Sequence, residues 1–413
     1  MKILLIHQYF LEEDDPGGSR FNEMVKTWQY FGNEVTVIAG MVHYNGSKKP
    51  KEYKGRFVKN KNQNGTRVIR SHVSESYNSG FVGRLWGYFS FMFSSLYAGI
   101  FVAKEKYDLV LVTSPPLFIG FSGYIISRIK KIPFVFEVRD LWPESAIDTG
   151  VLSNRLMIKF AFAFENFIYR KSKLINVLTP AFKQHLVETK SVPADKVIMI
   201  PNAADLILSE DLLKNFDAQS FRKLLGWEDK FVVLYVGAHG VANHLVQLLD
   251  AAERLIHTNV VFVMIGMGMR KQFLIEEKVT RNLQNVFFID PVPKAEVFKY
   301  ILAADMGASV LKKADAFKTV YSNKTFDYMS CKKPVLMAID GVSRELIIES
   351  KAGSYVEPEN TEEYFNVISD YLSDKERAII EGENGYDFVK KNFEREALAK
   401  KYLTLIQEKV FDQ

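Results

Sequence analysis

The segment Ser322-Asn323-Lys324-Thr325-Phe326-Asp327-Tyr328-Met329-Ser330-Cys331-Lys332-Lys333-Pro334-Val335-Leu336 combines a helix-packing pattern with charges that packing does not require. Phe326, Met329 and Ser330 stand at i, i+3 and i+4 and can share one buried face, while Asn323, Lys324 and Asp327 sit near the helix's N-terminal end. Pro334 stops the helix and Val335-Leu336 starts a strand. A helix N-terminus with a carboxylate one turn in can hold a nucleotide's phosphates and ribose hydroxyls together.

Three other loops carry chemistry. In Phe136-Glu137-Val138-Arg139-Asp140-Leu141-Trp142-Pro143-Glu144-Ser145, three carboxylates and an arginine crowd the end of an apparent strand. Asp140, close to Arg139, is expected to stay ionised and to accept a proton from an attacking hydroxyl, with Glu144 beside it. Pro16-Gly17-Gly18-Ser19-Arg20 leads into a helix starting near Phe21, where paired glycines, a serine and a cation suit a phosphate. Val236-Gly237-Ala238-His239-Gly240-Val241-Ala242-Asn243 opens a helix running through Leu245, Leu248, Leu249 and Ala252, where two glycines free the backbone and His239, at the helix N-terminus, can donate to a phosphate. Gly266-Met267-Gly268 is part of a dinucleotide fingerprint, but no third glycine follows at Lys271, and the loop suits base contact better. No Asp-x-Asp pair or His/Glu cluster has metal-ligand spacing, so no metal is expected.

These loops need strands to position them. Runs at Ile3-Ile6, Glu34-Ala39, Thr66-His72, Leu109-Thr113, Phe134-Val138 and Leu174-Leu178 read as one series of strands. Phe231-Gly237, Val260-Gly266, Val286-Ile289, Met306-Val310, Val335-Ala338 and a weak Ser354-Val356 read as a second. Helical stretches alternate with both, so the fold class is α/β with two doubly wound, mostly parallel sheets. Ligands are then expected beyond the strands' carboxyl ends. The predicted domains are 1–205 and 206–383, followed by a helix over 384–413.

Lysine and arginine outnumber acids 27 to 18 over residues 1–205, net +9, against 27 to 31, net −4, over the rest. The block Lys48, Lys49, Lys51, Lys54, Arg56, Lys59 and Lys61 reads as a solvated loop that could also steer the chain to anionic lipid or phosphate. No nucleic-acid module accompanies it. Cys331 is the only cysteine, which excludes an intrachain disulfide and fits a reducing cytoplasm. Leu85 to Ala103 holds no charge; Leu85, Phe89, Met92, Phe93, Leu96 and Ile100 make one helical stripe while Gly87, Ser90, Ser94 and Ser95 cluster elsewhere, and the segment reads as a crossover helix, with partial insertion in a membrane interface as a hypothesis.

With the start Ile6-His7-Gln8-Tyr9-Phe10, the Pro16–Phe21 loop, Ser114-Pro115-Pro116-Leu117 and the segments above, the chain resembles bacterial glycosyltransferases of family 4 with the two-domain GT-B fold. It is similar in particular to the N-acetyl-L-fucosaminyl transferases of O-antigen and capsule assembly. The resemblance implies two Rossmann-like domains facing across a cleft, a C-terminal helix crossing back to the first, a UDP-sugar donor and no metal. It also implies an undecaprenyl-diphosphate-linked acceptor at the inner face of the cytoplasmic membrane. The family's two glutamates eight positions apart fall on Thr319 and Asp327, and its Arg and Lys after the first C-terminal strand fall on Ala238 and Asn243. Lys324 is the expected replacement cation, assisted by Arg20 or Arg139. Two other readings fit the same architecture: a UDP-N-acetylglucosamine 2-epimerase, and a catalytically silent partner that binds nucleotide sugar or lipid.

Overall fold

The computed structural model describes residues 1–12, 20–42, 49–78, 80–148 and 152–412. The predicted phosphate loop residues Gly17, Gly18 and Ser19, and Lys48 of the basic block, lie outside them. The chain divides into two compact units, Met1–Pro201 with Glu396–Gln413, and Asn202–Arg395.

The first unit holds an eight-stranded sheet of β1 (Lys2–Ile6), β2 (Glu34–Gly40), β3 (Val58–Gln63), β4 (Thr66–Ser71), β5 (Leu109–Thr113), β6 (Phe134–Val138), β7 (Leu174–Val177) and β8 (Val197–Met199). The order is β3-β4-β2-β1-β5-β6-β7-β8, parallel except where β3 runs antiparallel to β4. Strands buried on both faces, such as the fully buried Leu109–Thr113, read as continuous apolar runs, which is why the sequence exposes them. The order turns between β1 and β5, so the loops after β1 and β5 flank a switch point, with the loop after β6 on the next strand along.

The second unit has a six-stranded parallel sheet, β9 (Phe231–Val236), β10 (Val260–Ile265), β11 (Val286–Ile289), β12 (Met306–Val310), β13 (Val335–Ala338) and β14 (Gly353–Tyr355). Its order is β11-β10-β9-β12-β13-β14, turning between β9 and β12. Two apolar layers cover it. One joins Val232, Leu234, Phe298, Phe326 and Met329, and the other Tyr235, Leu248, Phe262, Leu336 and Tyr364.

Several expectations are corrected. The basic block is no loop over its second half: Lys59 and Lys61 lie on edge strand β3, paired with Glu52 and, for Lys61, also Glu12. Lysines on an edge strand also blunt its pairing with other chains. The crossover helix Gly80–Tyr97 ends in a turn of π-helix, Ala98–Val102; of the expected stripe Met92 is buried, Leu85, Phe89, Leu96 and Ile100 are half-buried and Phe93 is exposed, so the stripe is not the most deeply buried face. Small residues are: Ser90, Ser94, Ser95, Ala98 and Gly99 are buried, while Trp86, Phe93, Tyr97 and Phe101 are exposed. Ser122 Oγ on the helix Ile119–Lys130 donates to the Met92 carbonyl at 2.7 Å, and a Cβ on Gly99 would come within 2.2 Å of Ile126 Cδ1. Close helix approach therefore selects the small residues, and their hydroxyls are satisfied by helix carbonyls.

The single C-terminal helix expected over Asn384–Val410 is two, Lys375–Asn392 and Arg395–Ile406, separated at Phe393. The first belongs to the second unit, where Gly385 packs on Met329. The second returns to the first unit: Trp28 Nε1 donates to the Ala399 carbonyl at 3.0 Å, and the Trp28 and Tyr402 rings meet edge-on at 5.7 Å. The boundary near Asp205 moves to Pro201/Asn202, because Ala204 N donates to the Phe393 carbonyl and Asp205 is held by Lys294 and Arg395.

Candidate active site

In the second unit, the helix Asn323–Ser330 follows β12 and buries Phe326, Tyr328 and Met329. Its N-cap Ser322 makes no side-chain cap bond, so the first-turn amides keep their positive end available. Lys324 Nζ donates to Ser322 Oγ at 3.3 Å and stands 5.1 Å from the Tyr235 ring centre. Burial brings its pKa down to about 8, with Asp327 acting the other way. Gly237 adjoins it, since a Cβ there would lie 3.2 Å from Lys324 Cε. Gly237, the helix N-terminus and Lys324 thus converge, and Asn323 beside them accepts from Asn202 Nδ2 at 2.6 Å.

Asp327 is half-buried, and its carboxylate takes no hydrogen bond among the described residues. Burial pushes its pKa up to about 6; Lys294 lowers it, Asp205 raises it, and Arg395 and Lys324 lower it. A carboxylate with open acceptor positions suits vicinal hydroxyls. The sequence analysis missed the Asp205–Lys294–Arg395 network behind it, because nothing in the local pattern marks Lys294 or Arg395 as partners of Asp205.

His239 is placed differently from the expectation. The helix after β9 begins at Val246, so His239 is not at a helix N-terminus. Its ring is fully buried, 6.1 Å from the Tyr235 ring and 5.9 Å from Phe288, and neither nitrogen has a partner. Burial and then Lys271 lower its pKa to about 4, so it is a neutral wedge rather than a phosphate cation. Gly266 and Gly268 serve close loop contact: a Cβ on Gly266 would sit 1.9 Å from the Gly237 carbonyl oxygen, and one on Gly268 2.3 Å from that of His239. Gly240 opens on free space apart from Asn243. The loops bearing Gly237, Gly240 and Gly268 are thereby locked together. Among the described residues no group of three or more His, Cys, Asp or Glu is placed to hold a metal ion.

In the first unit the structure sorts the charged cluster after β6. Glu137 is fully buried and accepts from Arg20 Nε at 3.0 Å, Arg20 Nη2 at 3.3 Å and Asn176 Nδ2 at 2.8 Å. Arg20 also donates to the carbonyls of Ile200 and Pro201. Arg20 is therefore a structural tie, not the phosphate cation predicted. Glu144, at the start of the short helix Glu144–Asp148, accepts from His185 Nε2 at 3.1 Å and pairs with Lys190, which also pairs with Glu165 at 2.7 Å. Burial pushes Glu144 up, but the bonds from His185 and Lys190 outweigh it and leave its pKa at about 2. A carboxylate held that firmly cannot trade protons, which corrects its expected catalytic role.

Asp140 and Arg139 remain uncommitted. Asp140 accepts from Ser145 Oγ at 2.8 Å; burial raises its pKa, Ser145 lowers it and Glu144 raises it. Arg139 is not the partner that was expected to hold it ionised. The raised pKa brings Asp140 closer to a working base. At the neighbouring end of β1, buried His7 meets Thr113 Oγ1 through Nδ1 at 2.7 Å, and burial, then Arg139 and Arg20, hold its pKa well below the ordinary value.

Comparison with known proteins fits these two units. Residues 17–203 match the family described as "Glycosyl transferase 4-like domain", and residues 217–388 match "Glycosyl transferases group 1". The chain belongs to the family 4 glycosyltransferases. The family's two parts follow the two units closely, and the chain is a transferase of sugar residues built from two Rossmann-like domains with parallel sheets. A curated relative, the putative colanic acid biosynthesis glycosyl transferase WcaI of Escherichia coli, is 23% identical over 328 residues, 78% of this chain and 80% of that protein. Among solved structures, Anabaena HepE in complex with UDP is similar with a TM-score of 0.72 at 16% identity, covering 99% of this chain and 100% of that one. The sucrose-phosphate synthase of Thermosynechococcus elongatus gives 0.72 at 17%, covering 98% of each chain. Both neighbours are GT-B glycosyltransferases.

Proposed function

We propose that this glycosyltransferase moves an N-acetylated deoxyhexose, N-acetyl-L-fucosamine as the best candidate, from UDP to a hydroxyl of a lipid-diphosphate-linked sugar in capsule or O-antigen assembly. The observation that carries the donor half is the convergence of Lys324, Gly237 and an uncapped helix N-terminus beside the open carboxylate of Asp327. A cation and helix amides stabilise a departing diphosphate, and a carboxylate one turn in accepts from the ribose. This supports a reaction that needs no metal. The complexes of HepE with UDP and UDP-glucose favour a uridine nucleotide here too.

In the reaction the bond from the sugar's anomeric carbon to the β-phosphate oxygen breaks, UDP leaves, and the acceptor oxygen forms the new glycosidic bond. If the anomeric centre inverts, Asp140 takes the acceptor's proton. If it is retained, Asp140 orients the acceptor and the proton passes to the leaving phosphate.

The acceptor's lipid would place the enzyme at the inner face of the cytoplasmic membrane. An exposed aromatic surface supports that. Trp86, Phe93 and Phe101 on the crossover helix and Leu156 and Phe160 on the helix Arg155–Lys171 are all more than half exposed. Phe89, Phe118, Phe164 and Phe160 link the two helices ring to ring at 4.6, 5.4 and 6.1 Å, with Arg155 and Lys159 alongside. Apolar rings with adjacent cations fit an anionic lipid interface.

A panel of UDP-sugars incubated with a synthetic GlcNAc-diphospho-lipid, with products weighed, tests the proposal. A lipid heavier by one glycosyl residue supports it. Conversion of UDP-N-acetylglucosamine without acceptor would make the chain an epimerase, and tight UDP binding without any turnover a silent partner.

A further inference from the structure

Arg139 follows β6, one strand from the switch point of the first sheet, and among the described residues its guanidinium makes no hydrogen bond and no ion pair. Its Nε is buried and without a partner. The nearest carboxylate that acts on it, Glu137, is already taken by Arg20 and Asn176. Asp140, its sequence neighbour, bonds Ser145 instead. At the end of β1, His7, on which Arg139 acts, is buried and held neutral and adds no second positive charge, and Gln8 is buried with its Oε1 also lacking a partner. Arg20 and Glu137 cancel, and the positive charge of half-buried Arg139, whose Nε is buried and orphaned, is left over at the carboxyl end of the sheet.

Burying a guanidinium nitrogen without a partner is costly, and folds retain such a group where a ligand completes it. The guanidinium's planar fork fits the paired oxygens of a phosphate or carboxylate. We infer that the first unit carries an oxyanion subsite centred on Arg139, next to His7 and Gln8, which takes the phosphate adjoining the accepting sugar. The subsite rests on the transferase reading for the identity of its ligand, but not for its existence. Arg139 is then a binding residue that selects acceptors carrying a diphosphate, and the donor's diphosphate is left to Lys324.

Two measurements on the full chain test this. The first is thermal melting with inorganic phosphate, in a Lys324→Ala background so that the donor site does not answer. Phosphate should raise the melting temperature by about 2–4 °C, and Arg139→Gln should abolish the rise. Without phosphate, Arg139→Gln should melt no lower than its parent, because it removes an uncompensated charge rather than a structural tie. An equal rise in the Gln variant, or a marked drop in its own stability, overturns the subsite. The second compares GlcNAc-diphospho-lipid with an uncharged octyl glycoside of GlcNAc. Arg139→Gln should raise KM for the charged acceptor about 10–100-fold and leave the donor KM within about threefold, with Arg139→Lys between. Equal losses on both acceptors, or a rise in donor KM instead, also overturn it. Melting needs no turnover, so an Arg139-dependent phosphate response with no transfer would fault the proposed reaction and leave the subsite standing.

Discussion

Replacing Lys324 by alanine addresses the electrostatic centre of the donor site. Bringing a lysine from its ordinary 10.5 down to about 8 costs ~3 kcal/mol, which the fold bears while the site is empty. A diphosphate oxygen about 4 Å away returns about 4 kcal/mol per charge at an effective dielectric near 20. The charge is thus worth keeping only when diphosphate is present, and most when negative charge develops on the leaving group. Lys324→Ala should therefore lower kcat/KM for the donor by about 10²–10³-fold. In the unchanged protein kcat/KM should fall as pH rises through about 8, roughly tenfold per further pH unit, because the lysine loses its proton there. The alanine variant should lack that alkaline limb, and its melting temperature without ligand should not drop. Steady-state kinetics from pH 6 to pH 10 reads both. Near-normal kcat/KM in the variant, or an alkaline limb that survives it, would refute the role assigned to Lys324.

Asp327→Asn should raise donor KM about tenfold, and in the parent donor affinity should weaken as pH falls through about 6, where the carboxylate gains a proton; UDP titrations at pH 5 and pH 7.5 check this. Glu144→Gln should leave the catalytic constants of the folded protein close to normal but lower stability by about 3 kcal/mol, since Lys190 and His185 lose the carboxylate they share. Because the folded Glu144 is depressed to about 2, its contribution is present above the ordinary carboxylate range and is lost as pH falls towards 2, which acid unfolding curves of the two proteins should show. Arg20→Ala should destabilise by about 3–5 kcal/mol by stranding Glu137, and calorimetry should detect that loss whether or not UDP is present.

Most strands were legible because parallel strands covered on both faces must be apolar runs. Leu109–Thr113, Phe134–Val138 and Met306–Val310 begin and end where their β-branched and apolar residues do. Strand β3 was hidden because its sequence, Val-Lys-Asn-Lys-Asn-Gln, is that of a solvated edge, and β8 because three residues carry no period. The donor helix was readable since Phe326, Met329 and Pro334 fix its face and end locally. The first-unit cluster was not. Which of Glu137, Asp140 and Glu144 stays free depends on Arg20, His185 and Lys190, 41 to 117 residues away from the carboxylates they bind, and separations of that kind leave no mark in a local pattern. His239 misled for the same reason, as its burial is set by Phe288 and by the approach of Gly268.

The proposed donor site binds a nucleotide diphosphate through Lys324 and Asp327 without a metal. Calorimetric titration of UDP into the full chain in excess EDTA tests it most directly, with the Lys324→Ala and Asp327→Asn variants run alongside. The account predicts binding in the unchanged protein that added magnesium does not strengthen, and at least about tenfold weaker binding in each variant. UDP affinity that is equal in all three proteins, or that appears only with a divalent cation, would contradict it.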